Sequence, residues 1–109
     1  MERIHRIGEN IMGKALEVKV TYTEQGIKLY EDCYLKDSNQ TVDLQEGTDV
    51  WFTFGGQDLK GSVVIRYQPV KLSVNTTIYA KRHYIKQDNF KVPFPLTNLL
   101  DMGVEVKTK

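Results

Sequence analysis

The sequence has little of what metal-binding, disulfide-bonded and membrane-spanning proteins require. One cysteine cannot form an internal disulfide, and two histidines with this cysteine do not make a zinc site. No apolar run approaches the length of a membrane span. Charged residues interrupt the first fourteen positions, where a signal peptide would need an unbroken apolar stretch. We therefore expect synthesis in the cytoplasm without a signal peptide, no membrane, and neither a metal nor a cofactor.

Catalytic motifs are also missing. Residues 56–62 carry two glycines and a serine but lack the lysine of a phosphate-binding loop, and they lead into a predicted strand instead of a helix. Cys33 lies beside Glu31 and Asp32, whose negative charges raise the pKa of a thiol. These two carboxylates cannot work together as acid and base, because neighbouring residues of a strand point to opposite faces. We expect no catalytic residue, no enzyme activity and no small-molecule substrate.

What the sequence does have is period-two alternation of apolar and polar residues. Between Lys14 and Thr23 the apolar residues fall on every second position, which predicts a half-buried strand. A turn at residues 24–26 and a second alternating run over 27–35 predict a hairpin. Further strands are predicted over three segments: 48–54, 61–67 and 75–86. Pro69 is expected at a strand end, an edge or a bulge, because it has no N–H to donate.

Six to eight short strands with frequent turns predict an all-β fold. We expect a single-domain antiparallel β-sandwich or small distorted β-barrel over residues 1–109, with at most short terminal helices. The spacing of three isoleucines predicts an N-terminal arm or a short helix over residues 1–13. Residues 92–109 are predicted as an extended segment, a short helical turn over 98–102 capped by Thr97, and a last strand. The predicted core comprises Leu16, Val18, Val20, Ile27, Leu29, Leu35, Val50, Phe52, Phe54, Val63, Ile65 and Ile78, with Cys33 and Trp51 as further candidates.

Charge is segregated along the chain, although its net charge is only +1. Residues 20–59 hold eight acids and two bases, whereas residues 60–91 hold seven bases and one acid. Three interpretations are open. The two blocks pair inside the fold, where each cross-strand pair contributes roughly 0.2–1 kcal/mol; or they form separate faces by which subunits bind one another; or the basic block binds nucleic acid.

We expect a non-enzymatic structural or assembly protein whose partners are proteins, in the first place further copies of itself. Contacts on the basic side are predicted at Arg66, Lys81, Arg82, Lys86 and Phe90. Their acidic counterparts are predicted at Glu31, Asp32, Asp43 and Asp49. One alternative is a small barrel that binds nucleic acid through the basic and aromatic segment 66–91. A protein inhibitor of an enzyme is a second alternative, because it would have the same features.

Residues 27–64 contain, in order, a strand, a polar turn, the run GTDVWFTF and a following GSVV strand. The positions that carry this pattern are Asp37, Asn39, Val42, Asp43, Leu44, Gly47, Val50, Phe52, Phe54, Gly61 and Val63. About a third of the chain thereby resembles the small β-sandwich domains of bacteriophage tail and baseplate proteins. The resemblance implies a tail, baseplate or connector component that is assembled as a homo-oligomer into a virion. The inhibitor alternative would then be phage-encoded and act on a host enzyme.

Overall fold

Eight strands and one short helix make up residues 13–109, which the computed structural model describes. The strands are β1 (Lys14–Tyr22), β2 (Lys28–Leu35), β3 (Thr41–Val42), β4 (Asp49–Phe54), β5 (Gln57–Ser73), β6 (Thr76–Lys86), β7 (Phe94–Pro95) and β8 (Val106–Thr108). The helix α1 spans Leu96–Asp101. The strands form one antiparallel sheet in the order β3-β2-β1-β8-β4-β5-β6-β7, whose two ends are not joined by a backbone ladder. The predicted all-β class is confirmed, whereas the arm or helix predicted over 1–13 lies, except for Gly13, outside the described residues.

The predicted β1–β2 hairpin is confirmed. Val18 lies opposite Cys33 in the antiparallel register, and Gly26 takes a φ of 85° in the turn. The register shifts after Thr21, so the alternation of β2 does not continue into the turn. Ile27 is therefore 43% exposed, and its placement in the core was wrong. Its N–H bonds to the hydroxyl of Thr23, which closes the turn instead of extending the strand.

The core lies between the folded faces of this sheet and is closed by α1. Five of the predicted apolar members are buried, and so is the candidate Cys33: Leu16, Cys33, Leu35, Val50, Phe52 and Val63. Others are only half-buried: Val18, Val20, Leu29, Trp51, Phe54, Ile65 and Ile78. The prediction missed seven buried apolar residues: Leu44, Val70, Ala80, Ile85, Leu96, Leu99 and Val106. Most of these lie in loops or short elements, where no alternation can develop.

The helical turn near the C-terminus begins two residues earlier than predicted. Pro95, whose φ is fixed near the helical value, is the N-cap, and no side chain caps the helix. The predicted capping role of Thr97 was therefore wrong. Gly103 ends the helix with a φ of 83°, and the Val104 N–H bonds to the Leu99 carbonyl at 3.0 Å. This brings β8 back between β1 and β4.

The hairpin of β5 and β6 is the longest element of the fold. A two-residue turn, in which Gly55 and Gly56 both have positive φ, starts β5 at Gln57 instead of the predicted Gly61. β5 then continues for 17 residues to Ser73. The molecule measures 61 × 33 × 22 Å, and its radius of gyration is 15.7 Å. A compact chain of this length would have about 13 Å, so the fold is elongated.

Candidate interaction surface

Residues 67–80 extend the β5–β6 hairpin beyond the strands that flank it, and we call this extension the arm. The strand β4 pairs with β5 only as far as Ser62. The loop before β4 continues that pairing through the backbone of Val63, and the Glu46 carboxylate accepts the Ile65 N–H at 2.6 Å. Beyond this point no described strand pairs with the outer edge of β5. The two strands of the arm therefore pair mainly with each other.

One face of the arm is aromatic and exposed. Side chains of a strand alternate between faces, so Tyr67 and Pro69 share the face on which Val63 enters the core. Tyr79 lies directly opposite Pro69 in the register. Tyr67 and Tyr79 are 64% and 69% exposed. The arm thus continues the core face of the sheet outward, but nothing in the described chain covers it.

The outer edge of β5 is poorly suited to adding another strand. The N–H and the carbonyl of Val63 bond outward to residues 47–48, so the backbone of every second residue from there faces outward. Pro69 occupies such an outward position. Because the Pro69 nitrogen faces outward, the absence of its N–H costs the ladder to β6 no hydrogen bond. It does remove a hydrogen-bond donor from the open edge, which is the usual place of proline on edge strands. Of the three places predicted for Pro69, a strand end, an edge or a bulge, the structure shows the edge. The arm therefore offers a partner its face more readily than its edge.

The tip of the arm is apolar, and its surroundings carry one sign of charge. Leu72 is 43% exposed and Val74 is 87% exposed. Between Lys60 and Gln87 the sequence has no acidic residue. Leu72 and Val74 were not among the predicted contact residues, because they alternate with Lys71 and Ser73 as the apolar positions of a half-buried strand do. Nearer the body the arm is in fact buried on one side, where Val70 is 5% exposed and Ala80 is 0% exposed.

The acidic and basic blocks pair in part within the fold. The Lys81 ammonium lies 2.9 Å from the Asp43 carboxylate, whose pKa is lowered from its ordinary value by this hydrogen bond. Lys60 lies 3.6 Å from Asp49. These pairs link residues from the two blocks, as one of the three interpretations predicts. No ion pair with another described residue is formed by the remaining bases Arg66, Lys71, Lys86 and Lys91, which are exposed.

Side chains join β2 to β6 where no backbone ladder does, and we call this contact the β2–β6 bridge. The Glu31 carboxylate accepts a hydrogen bond from the backbone N–H of His83 at 3.0 Å and lies 2.9 Å from Nδ1 of the His83 ring. It also binds the Lys28 ammonium. The Arg82 guanidinium donates to the carbonyl oxygens of Leu29 at 2.9 Å and Lys28 at 3.1 Å. Glu31 and Arg82, which were predicted contact residues, are therefore buried within their own chain. The bridge fixes the base of the arm to the body.

The pKa values of two buried groups reflect this environment. Burial raises the pKa of Glu31, but hydrogen bonds from His83 and Lys28 outweigh it and lower the pKa to about 2. Burial, reinforced by the Glu31 charge, raises the pKa of the Cys33 thiol to about 12. A thiol in that state is not a nucleophile at neutral pH.

The remaining predicted contact residues divide between core and surface. Phe90 packs against Phe52, Phe54 and Phe94 with ring centroids 5.4–6.1 Å apart, so it is a core contact of its own chain. Asp32 is exposed on the outer face of β2. Arg66 and Lys86 are exposed, as noted above. The structure therefore leaves Arg66, Lys86 and Asp32 as predicted contacts that are both exposed and without an ion pair among the described residues.

A groove of about 390 Å³ runs beside Trp51. The indole ring is half-buried, and the ammonium groups of Lys60 and Lys109 lie 5.8 and 5.5 Å from its centroid. The lining carries charges of both signs, including Asp58 and Glu105. Such an environment stabilises the ring by cation–π contacts. It does not show the convergent polar groups that a small-molecule site would need.

Within residues 13–109, no three His, Cys, Asp or Glu side chains come together in a way that could hold a metal ion. No described helix is long and apolar enough to cross a membrane. Comparisons with protein-family models, curated proteins and solved structures find no match to this chain. Among the described elements, the arm stands out because its aromatic face, with Tyr67 and Tyr79, packs against no other part of the described chain.

Proposed function

We propose that this protein is a non-enzymatic assembly protein whose subunits bind one another through the arm. The observation that carries the proposal is the exposed aromatic face of the arm, formed by Tyr67, Pro69 and Tyr79. Large contiguous apolar surface is rare on monomeric proteins and marks interaction sites. Tyrosine is enriched in the centres of protein interfaces. The bacteriophage tail, baseplate or connector is the setting that we propose for this assembly, on the basis of the sequence resemblance.

A second copy of the chain is the partner that the charges favour. Arg66 and Lys71, at the base of the arm and within it, form no ion pair with another described residue, although the Glu46 carboxylate lies beside Ile65. Exposed acids such as Asp32 and Asp37 lie in the other half of the sequence. A basic, aromatic surface and an acidic surface on the same molecule attract each other between copies. Contacts between two different surfaces generate rings or open filaments.

The size of the arm sets the expected strength of this contact. Each exposed tyrosine would bury on the order of 150 Å², and a stable interface needs roughly 800 Å² per partner. The two tyrosines would therefore supply about a third of the necessary area, and Leu72 and Val74 would add to it. We expect two subunits to associate with a dissociation constant in the micromolar range. The association becomes stronger in an assembly in which each subunit binds one neighbour through its own arm and another through that neighbour's arm.

Sedimentation velocity over increasing protein concentration tests the proposal. We expect the wild-type protein to form oligomers, and the double variant Tyr67→Ser/Tyr79→Ser to remain monomeric while it keeps its circular dichroism spectrum. The matched control is Val92→Ser/Met102→Ser, which replaces two exposed apolar residues outside the arm. Loss of association in both variants alike, or in neither, would contradict a role for the arm.

A second candidate function is supported by the same aromatic and basic surface. Tyrosines on a positively charged strand face are also how proteins stack the bases of single-stranded nucleic acids. Anisotropy of a labelled oligonucleotide, titrated with salt, tests this. If Arg66 and Lys71 each neutralise one phosphate, log K should fall against log salt with a slope of about −1.4. Absence of binding at low salt would exclude the nucleic-acid function.

A further inference from the structure

Two arginines face each other across the β5–β6 ladder at the base of the arm. Arg66 and Arg82 are direct partners in the antiparallel register, and their side chains lie on the same face of the ribbon. Like charges in this relation repel each other and destabilise a sheet. The fold keeps the pair nonetheless, and holds one of its members in a fixed position.

Arg82 is only 5% exposed, and each of its contacts in the described chain is with a neutral oxygen. Its Nη1 and Nη2 donate to the carbonyl oxygens of Leu29 and Lys28, and its Nε donates to the Gln68 side-chain oxygen at 3.2 Å. No described carboxylate forms an ion pair with it. Neutral acceptors satisfy the hydrogen bonds of a guanidinium group, but they do not compensate its charge. Arg82 is therefore a buried positive charge without a direct ion pair, because the Glu31 carboxylate of the same bridge binds Lys28 and His83 instead.

Gln68 and Arg66, which neighbour Arg82 on this face, present hydrogen-bond donors. The side-chain oxygen of Gln68 is taken up by Arg82, which leaves its amide N–H groups to donate to other molecules. Arg66 is exposed and brings a second guanidinium group with five N–H groups. The chemistry that complements these neighbouring N–H donors and guanidinium groups is a carboxylate or phosphate oxygen pair.

We propose that Arg66, Gln68 and Arg82 form a site that binds a carboxylate of a second copy of this chain. The inference rests on the proposed function, and it names the residues by which the base of the arm recognises its neighbour. Exposed carboxylates that form no ion pair with another described residue are present on and beside β2, at Asp32 and Asp37. Asp32 and Asp37 form no ion pair with Arg66 or Arg82 within the described chain, so a second copy could bring a carboxylate to the arginines.

Charge reversal at Arg66 tests this site, because the residue is exposed and makes no contact that folding requires. We expect Arg66→Glu to weaken self-association at low salt by about tenfold or more. Lys91→Glu makes the same change of charge at an exposed base outside the arm and should change association by less than about twofold. Urea unfolding of both variants at neutral pH should show that the fold is unchanged.

Mixing two variants identifies the occupant. The first chain carries Arg66→Glu and retains its carboxylates; the second carries Asp32→Asn/Asp37→Asn and retains its arginines. At a protein concentration where the wild type associates but each variant alone is monomeric, an equimolar mixture should form a complex with one copy of each and no larger species. This result would show that a carboxylate of one copy reaches the arginine site of another.

The outcomes separate this inference from the proposed function. If the wild-type chain stays monomeric, both are overturned. If the tyrosine variant loses association but Arg66→Glu behaves like the wild type or like Lys91→Glu, the arginine site is refuted and the arm remains the interface. If Arg66→Glu instead abolishes binding of a single-stranded oligonucleotide and leaves self-association unchanged, the occupant is a phosphate and the proposal is wrong.

Discussion

Replacing Glu31 by glutamine should remove a large and pH-dependent part of the stability of this fold. The carboxylate is almost fully buried and is held by His83 and Lys28. Its pKa falls from an ordinary 4.5 to about 2 in the folded chain. At about 1.36 kcal/mol for each pKa unit, this difference of about 2.5 corresponds to about 3 kcal/mol of stability. That is a substantial share of the roughly 5–15 kcal/mol that stabilises a typical domain.

The direction of the Glu31 pKa shift determines the pH range in which its contribution to stability is lost. Because the folded pKa is the lower one, the contribution is fully present above pH 4.5 and disappears as the pH falls toward about 2. Urea unfolding of the wild type should therefore show a decline across this range that exceeds the decline of Glu31→Gln. At neutral pH the variant should already be less stable by about 3 kcal/mol.

Asp32→Asn is the matched control, because Asp32 is the next residue and is exposed on the opposite face of β2. We expect it to change the unfolding free energy by less than about 0.5 kcal/mol at any of these pH values. Other carboxylates titrate in all three proteins, so only the difference from wild type carries information. If Glu31→Gln and the wild type lose stability in parallel from pH 5 downward, the bridge is not what lowers the Glu31 pKa and the argument fails.

Two substitutions and one reactivity measurement test the packing of the body. Phe90→Ala should lower the urea unfolding free energy by about 3 kcal/mol, since it removes a half-buried ring from contact with three others; an effect below 1 kcal/mol would contradict this packing. Gly61→Ala should destabilise by about 1–3 kcal/mol in the same assay, because a Cβ would lie 2.8 Å from Ile85 Cγ2 and from the Lys86 carbonyl oxygen. Cys33 should react with a disulfide reagent at pH 8 about a thousandfold more slowly in the folded than in the unfolded protein, and a rapid reaction would show that the thiol is accessible.

The alternation of apolar and polar residues predicted the strands of the body, because one face of each of these strands is exposed to solvent. In β2 it also placed Glu31 on the same side as Cys33 and Leu35, which is the buried side. The alternation could not show which residue binds Glu31, because His83 is 52 positions away in sequence. A carboxylate on an apolar face indicates that a donor will be found, but only the tertiary fold brings β6 to it. For this reason Glu31 was assigned to a surface.

The limits of the prediction in β5 have a different cause. The strand was predicted over 61–67 only, because Pro69 separates it from the next alternating run. In the structure Pro69 points its nitrogen to the open edge, so it does not interrupt the ladder to β6, and the strand runs on to Ser73. Apolar Val70, Leu72 and Val74 do alternate with Lys71 and Ser73, and the side of this part that carries Val70 and Ala80 is buried, at 5% and 0% exposure. The sequence therefore indicated a half-buried strand here, but not that it is continuous with the strand before Pro69.

The arm is a two-stranded ribbon, and such ribbons are at best marginally stable in water on their own. The described hydrogen bonds that fix the base of the arm to the body are those at Ile65 and in the β2–β6 bridge, where Arg82 and His83 are anchored. A chain that exposes Tyr67 and Tyr79 on such an element gains no stability from them as a monomer. The assembly proposed above would compensate for the marginal stability of the ribbon and for the exposure of the tyrosines together, because a neighbouring subunit that covers the tyrosines would also give this face of the ribbon a layer to pack against. The bridge holds the base of the arm in place beforehand, so less conformational entropy would be lost on forming that contact.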